Sequence, residues 1–164
     1  ILEIIWTFIP IFVLIFIGIP SLKNLYRGEA LASRRFNLKI IGHQWYWRYR
    51  FPEISLFIES FLYDRESIYL YGESEWLVLP FKYKISRFLS AHDVIHAWTL
   101  PSLGLKIDAI PGRLNFFSFI RRTPGVLIGQ CRELCGAYHA WIPIYLEFTS
   151  LNLFVEWLVS ELLY

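Results

Sequence analysis

The longest apolar stretch of the chain lies at its start. The nineteen residues Ile4–Leu22, IIWTFIPIFVLIFIGIPSL, carry no formal charge. A helix needs about 20 residues to cross a hydrocarbon layer about 30 Å thick. Trp6 and Tyr26 stand near the two ends of this stretch, where interfacial aromatic residues are expected. The pattern therefore predicts a transmembrane helix rather than a helix buried in a soluble core.

Beyond this segment the pattern changes to the two-residue period of β-strands. In LKIIGHQWYWRYRF, apolar or aromatic residues alternate from Ile41 through His43 and Trp45 to Tyr49. The stretches EWLVLPFKYKISRFLS, GVLIGQ and IPIYLEF predict further short strands. In the first of these, the alternating apolar residues are Phe81, Tyr83 and Ile85.

The C-terminal tail differs from the strands before it. In NLFVEWLVSELLY, Phe154, Trp157, Leu158 and Leu162 recur at helical spacing. The chain is thus predicted to be mainly β, a sandwich or small barrel attached to one membrane helix. Its predicted divisions are a transmembrane helix and flank (1–27), a connecting segment (28–37), a β domain (38–150) and a C-terminal helix (151–164).

Composition narrows the class of protein. Hydrophobic residues make up 55% of the 164 residues and charged residues 18%, which favours a membrane protein. Sixteen basic residues balance fourteen acidic ones, which argues against nucleic acid as a partner. The four basic residues after the helix would by themselves place the domain on the cytoplasmic or matrix side. These are Lys23, Arg27, Arg34 and Arg35.

Two cysteines carry the candidate chemistry of the chain. GQCRELCGAYHAWIPI places Cys131, Glu133, Cys135 and His139 within nine positions. A disulfide between residues four apart requires unusual local geometry. Thiolates and an imidazole suit copper or zinc. A Cys–His nucleophile pair and inert packing cysteines remain alternatives.

A second histidine favours a metal site. His96 lies at the end of a short apolar run, about forty residues before the cysteines. Cupredoxin-like sandwiches take one copper ligand from an early strand and the others from a late loop, and this spacing fits that arrangement. His43 and His92 lack such neighbours in the sequence and are interpreted as structural.

Four motifs together resemble cytochrome c oxidase subunit II. LEIIWTFIP, IGHQWYW, DVIHAWTLPSLGLKIDAIPGRLN and GQCRELCGAYHAWIPI occur in that family's order and spacing. The resemblance runs from the family's second transmembrane helix to its C-terminus. It implies a cupredoxin-like Greek-key domain carrying dinuclear copper, copper A. The family's first transmembrane helix would be missing or supplied by a separate chain.

The resemblance also implies the ligands of the metals. Cys131 and Cys135 would bridge the two coppers, and His96 and His139 would each bind one. Glu133 would give its backbone carbonyl to copper and its side chain to a magnesium ion shared with subunit I. Ile142 stands where the family has a methionine ligand.

Further roles follow from the same resemblance. Trp45 would be the site of electron entry, and Glu3 would lie at the mouth of a proton pathway into subunit I. The acidic residues Asp93 and Glu59 would face cytochrome c. A polar strip against subunit I would be formed by Lys106, Asp108 and Arg113.

The implied protein is an enzyme subunit that accepts electrons from cytochrome c and passes them to haem in subunit I, where oxygen is reduced. Its domain would face the mitochondrial intermembrane space or, in a bacterium, the periplasm. The alternatives are a copper-free subunit II of a quinol oxidase and a zinc-stabilised, membrane-anchored binding module.

The chain departs from the family pattern in two ways. Arg48, Arg50 and Arg132 add positive charge near a surface that should attract a basic partner. Arg48 replaces a serine of the family, and Arg132 replaces a small polar residue. The chain also contains no methionine. A mitochondrial code that reads one isoleucine codon as methionine would explain that absence and would place methionine at position 142.

Overall fold

A computed structural model describes residues 1–29, 35–61 and 75–163. The chain divides into two compact units, residues 1–33 and 34–164. The first unit is helix α1, Leu2–Glu29. Its apolar portion, Leu2–Arg27, has a mean hydropathy of 2.5 and no buried part. A core helix of a soluble protein would be covered on at least one face, so this exposure agrees with the prediction of a membrane-spanning helix.

The second unit is a sandwich of two five-stranded sheets. The first sheet has the order β3-β2-β1-β5-β8 and the second has the order β4-β10-β9-β6-β7. Strands β1 and β5 are parallel, as are β4 and β10, and the other pairs are antiparallel. The strands of the first sheet are β1 Arg35–His43, β2 Tyr46–Phe51, β3 Leu56–Ser60, β5 Lys84–Ala91 and β8 Asn115–Ile120. Those of the second are β4 Leu77–Pro80, β6 His96–Leu100, β7 Leu105–Ala109, β9 Gly125–Cys131 and β10 Pro143–Thr149.

The core lies between the sheets and is closed at one side by helix α2, Leu151–Leu163. Alternate residues of β2 point inward, among them Trp47 and Tyr49, and these two and Trp98 of β6 are fully buried. Phe154 anchors α2 to this core, and its ring packs edge-on against Phe36. The mainly β, cupredoxin-like prediction with two flanking helices is therefore confirmed.

The alternation from Ile41 to Tyr49 predicted one continuous strand, but the structure has two strands there. β1 ends at His43, β2 begins at Tyr46, and these two residues are paired across a hairpin. Trp45 lies in the turn, so the alternation that continues through it is accidental. This position leaves its side chain half-buried at the edge of the sandwich.

Two other strand boundaries differ from the pattern read in the sequence. β1 begins at Arg35, inside the predicted connecting segment 28–37, because Arg35 already pairs with Lys84 of β5. Phe81 and Tyr83 lie in the turn between β4 and β5 and not in a strand. The strands predicted at 125–130 and 142–148 and the C-terminal helix are confirmed.

One buried charge stands out in the core. Arg87 of β5 is fully buried, and its three guanidinium nitrogens have no hydrogen-bond partner among the residues that the structure describes. The guanidinium lies over the ring of Phe119 and is close to that of Trp98. Burial lowers the pKa of Arg87 well below its usual range. Aromatic faces compensate only part of the cost of removing such a charge from water.

Candidate metal centre

The candidate ligands meet at one end of the second sheet. His96 is the first residue of β6, and Cys131 is the last residue of β9. The two strands are paired, with Cys131 opposite Trp98, two residues after His96. The loop after β9 returns Cys135 to this end. A short 3₁₀ turn, His139–Trp141, then presents His139 before β10 begins. The sheet therefore brings together residues that are up to 43 positions apart in the sequence.

Four donor groups face one another at this point. The Cys131 and Cys135 sulfurs are 4.0 Å apart. His96 Nδ1 lies 3.9 Å from the Cys131 sulfur, and His139 Nδ1 lies 3.5 Å from the Cys135 sulfur. The backbone carbonyl of Glu133 lies 3.4 Å from the Cys131 sulfur. All five sequence-predicted ligand residues are thus present in one cluster.

The donor set fits soft metal ions. The cysteines are free, since 4.0 Å is about twice the length of a disulfide bond. Metal–sulfur bonds of about 2.3 Å allow two sulfurs up to about 4.6 Å apart to bind the same ion, so both sulfurs can bind metal together. Each sulfur also has its own imidazole neighbour. Thiolate and imidazole together favour copper or zinc over magnesium or calcium.

The two thiols do not ionise equally. Burial disfavours the thiolate of Cys131, but hydrogen bonds from His96 and from neighbouring backbone groups outweigh it and lower its pKa to about 7. Burial and the adjacent Cys131 thiolate both raise the pKa of Cys135. One sulfur is therefore ready to bind metal near neutral pH, and binding displaces the proton of the other.

Asp93 fixes the orientation of His96. Its Oδ1 lies 2.9 Å from His96 Nε2, which leaves Nδ1 directed towards the sulfurs. Asp93 also accepts hydrogen bonds from the backbone N–H groups of Gln44 (2.7 Å) and Val94 (2.6 Å). Asp93 was predicted as a docking residue, and this positioning contact was missed although the i, i+3 spacing to His96 offered a signal.

The turn between β1 and β2 supports the second cysteine. The Gln44 side-chain amide donates a 2.8 Å hydrogen bond to the Cys135 carbonyl. Next to it, the Trp45 ring packs edge-on against Tyr138, with ring centroids 4.7 Å apart. A methyl group at Gly136 would lie 3.2 Å from Trp45 Nε1, so the indole touches the residue directly after Cys135. Sequence reasoning missed Gln44, because only the hairpin places it here.

Ile142 lies at the position predicted for a methionine ligand. Its side chain is buried in the same apolar cluster as both cysteines. Its carbonyl accepts a 3.1 Å hydrogen bond from the Cys131 backbone N–H. An isoleucine has no donor atom, so here it contributes packing only.

The predicted polar strip lies beside the ligand loop. Lys106 Nζ is 3.5 Å from the Asp108 carboxylate and 3.8 Å from that of Glu133. Lys106, Asp108, Arg113 and Asn115 line one open pocket. The strip therefore joins strand β7 to the loop that carries Glu133.

The remaining predicted positions are spread more widely. Glu59 is paired with Arg48, whose Nε donates a 2.7 Å hydrogen bond to it. The acidic charge predicted for docking is thus largely neutralised by the residue that departs from the family pattern. Arg50 and Arg132 are exposed, and Glu3 lies in the first turn of α1.

His43 and His92 are not isolated, contrary to their interpretation from the sequence. Their rings stack with centroids 4.9 Å apart. One ligand atom from each, together with an Asp93 oxygen, lies within 4.8 Å of the others. Burial, Arg48 and His92 lower the pKa of His43. The parallel pairing of β1 with β5 brings the two rings together, since Gly42 pairs with Ala91 and the next residues are His43 and His92.

Comparisons with known proteins agree over nearly the whole chain. The family described as "Cytochrome C oxidase subunit II, periplasmic domain" matches residues 36–149, and "Cytochrome C oxidase subunit II, transmembrane domain" matches residues 1–24. Cytochrome c oxidase subunit 2 of Ctenocephalides felis is 44% identical over 97% of this chain and 73% of the relative. The same subunit of Apis mellifera ligustica is 41% identical over 98% and 73%.

A solved structure gives the same result for the β domain. The crystal structure of the periplasmic domain of subunit II of cytochrome oxidase from Bradyrhizobium japonicum superimposes with a TM-score of 0.74 at 35% identity. The match covers 80% of this chain and 96% of the bacterial domain.

Proposed function

Because the chain belongs to the family of cytochrome c oxidase subunit II, we propose that it carries the dinuclear copper A centre and transfers electrons from cytochrome c to haem in subunit I. The chain is a membrane-anchored subunit of a haem–copper terminal oxidase. Its partners are other subunits of that oxidase. The observation that carries the copper proposal is the pair of free thiols 4.0 Å apart, each with an imidazole nitrogen beside it.

The residues of the cluster divide the binding between them. Cys131 and Cys135 would hold both ions, His96 and His139 one each, and the Glu133 carbonyl would complete one site. Bound copper would supply a one-electron centre shared between two metals. The side chain at 142 would add a thioether if it is methionine and nothing if it is isoleucine.

The protein surroundings keep this cluster rigid. The Asp93 hydrogen bond to His96 Nε2 sets the ring orientation, and Gln44 holds the Cys135 backbone. His96 is itself fully buried at the start of β6, so its ring cannot rotate freely. Fixed ligand positions keep the structural rearrangement that accompanies electron transfer small.

Trp45 supplies the proposed entry point for electrons. Its ring is half-buried in the β1–β2 turn and touches the chain directly after Cys135. Because the ring is partly exposed, a docked protein could approach the indole from one side while the ligand loop contacts the other. The docking candidates are Asp93, which accepts a hydrogen bond from the Gln44 backbone N–H, and Glu59 on β3, which is held by Arg48.

Subunit I would complete the other proposed sites. The Glu133 carboxylate is 43% exposed beside Lys106, which leaves it free to share a magnesium ion with residues of a neighbouring subunit. Lys106, Asp108 and Arg113 would lie against that subunit, and Glu3 would open its proton pathway. The domain would face the intermembrane space of a mitochondrion.

A copper-free quinol-oxidase subunit and a zinc-stabilised module are the competing functions. The first is disfavoured because all four side-chain ligands are retained within one cluster. The second is disfavoured because the chain belongs to a family of oxidase subunits over nearly its whole length.

Serine substitution of the cysteines tests the proposal. Cys131→Ser and Cys135→Ser replace a soft thiolate by a hard hydroxyl, so each should abolish the mixed-valence electron paramagnetic resonance signal of the purified oxidase. Arg132→Ser is the matched control, since the same loop receives the same residue while both thiols remain. Retention of the signal in either cysteine variant, or its equal loss in the control, would contradict the ligand assignment.

A further inference from the structure

A second group of potential ligands lies outside the copper cluster. His43 ends β1, and His92 and Asp93 lie in the loop that leads into β6. One ligand atom of each lies within 4.8 Å of the other two. The loop is held against β1 by a 2.9 Å hydrogen bond from the His92 backbone N–H to the Gly42 carbonyl. The group is therefore fixed by the backbone on both sides.

One ring nitrogen of His43 lacks a hydrogen-bond partner among the described residues. The residue is only 8% exposed, and its Nε2 is buried without a hydrogen-bond partner among the described residues. Leaving a buried polar nitrogen without a partner destabilises the folded protein. The ring is stacked with Tyr46, at 4.7 Å between centroids, and with His92. Packing thus holds the nitrogen in place while nothing satisfies it.

The three residues can bind a metal with little rearrangement. Asp93 uses Oδ1 for Val94 and His96 and Oδ2 for Gln44, which leaves one lone pair of Oδ2 available. Metal–ligand bonds of about 2.0–2.2 Å bring ligand atoms to within about 3.3–3.5 Å of one another. The exposed His92 side chain must therefore turn out of its stack and move by about an ångström.

We infer that His43, His92 and Asp93 form a site for a divalent zinc ion. Two imidazoles and one carboxylate are ligands that zinc prefers, and three protein ligands leave a fourth position open to water or to a partner's side chain. Magnesium and calcium would require more oxygen ligands than the site offers. The site has two imidazoles and only one carboxylate, which distinguishes it from a simple acidic patch.

The position of the site gives it a consequence, which rests on the proposed function. Asp93 borders Gln44, the residue before Trp45, so a bound zinc ion lies beside the proposed docking surface. The ion would add positive charge where a basic cytochrome approaches and would neutralise the negative charge of Asp93. Zinc should therefore weaken association with cytochrome c without changing turnover at saturation.

The test compares the intact oxidase with His92→Gln, which removes the exposed ligand and leaves His43 and the copper ligands unchanged. Glu147→Gln, an exposed carboxylate change on β10, is the control. We expect wild-type and Glu147→Gln enzyme to retain one more zinc ion per oxidase after equilibrium dialysis than His92→Gln. We also expect zinc to raise KM for cytochrome c several-fold, with kcat constant, in those two enzymes alone.

Equal zinc content in the wild type and His92→Gln would overturn the site. If zinc binds at His92 but does not change KM, the site is supported and its proposed effect on docking is contradicted. Because zinc content is measured independently of copper, absence of copper A would contradict only the proposed function. A loss of zinc in Glu147→Gln as large as that in His92→Gln would show non-specific surface binding and would also overturn the site.

Discussion

A single methyl group at Gly42 should disturb the copper centre without touching a ligand residue. Gly42 lies on β1, opposite the fully buried His96 ring. A methyl group there would lie 2.8 Å from His96 Cδ2 and 3.0 Å from Cγ. Ordinary contact begins at 3.4 Å, so one of the two must move by at least 0.6 Å.

The strand cannot be the part that moves. β1 is the central strand of its sheet, and Gly42 is paired with Trp47 of β2 on one side and with Ala91 of β5 on the other. The displacement therefore falls on His96, whose ring is held by Asp93 and packed against Trp47. Overpacking of this kind costs about 1–3 kcal/mol. A shift above about 0.5 Å is enough to impair a site that depends on fixed geometry.

The assay is the visible and electron paramagnetic resonance spectrum of purified Gly42→Ala oxidase, with copper content and circular dichroism. We expect a native fold, altered copper hyperfine splitting and partial loss of copper. Gly18→Ala is the control, since no atom lies within 4 Å of a methyl group added there. A wild-type spectrum and full copper content in Gly42→Ala would refute the assignment of His96 as a buried ligand.

Three other predictions follow from the site and its surroundings. Trp45→Leu should retain the copper spectrum yet slow stopped-flow reduction by saturating cytochrome c; reduction at the wild-type rate would assign Trp45 to packing. Arg48→Ser frees Glu59, so association with cytochrome c should be faster at low ionic strength and fall more steeply with salt, and an unchanged salt dependence would exclude Glu59 from docking. Peptide mass spectrometry should show methionine at position 142, and a peptide with the mass of isoleucine at that position would reject the reassigned codon.

The sequence predicted the ligand cluster because the relevant signals are local. Cys131, Glu133, Cys135 and His139 lie within one loop, and His96 opens a short strand with apolar alternation on both sides. Similarly, the charge-free run at the N-terminus predicted α1, and the spacing of Phe154 and Trp157 predicted α2. Each of these patterns is read within about fifteen residues.

The missed contacts depend on which segments pair. Alternation through the turn at Gln44 and Trp45 hid the end of β1, so the Gln44 hydrogen bond to Cys135 was missed. The stacking of His43 on His92 follows from the parallel pairing of β1 with β5, which the sequence pattern does not specify. Asp93 shows the same limit, since its sequence position gave its charge but not its hydrogen bond to His96. Contacts between distant segments depend on strand pairing, which a period of two does not specify.

Copper stoichiometry tests the central claim most directly. The purified oxidase should contain two copper atoms per copy of this chain, in addition to copper held by other subunits. Its oxidised electron paramagnetic resonance spectrum should show one unpaired electron split by two equivalent copper nuclei, and Cys135→Ser should remove that signal. Zinc in place of copper, no metal, or a spectrum split by a single copper nucleus would contradict a dinuclear centre held by Cys131 and Cys135.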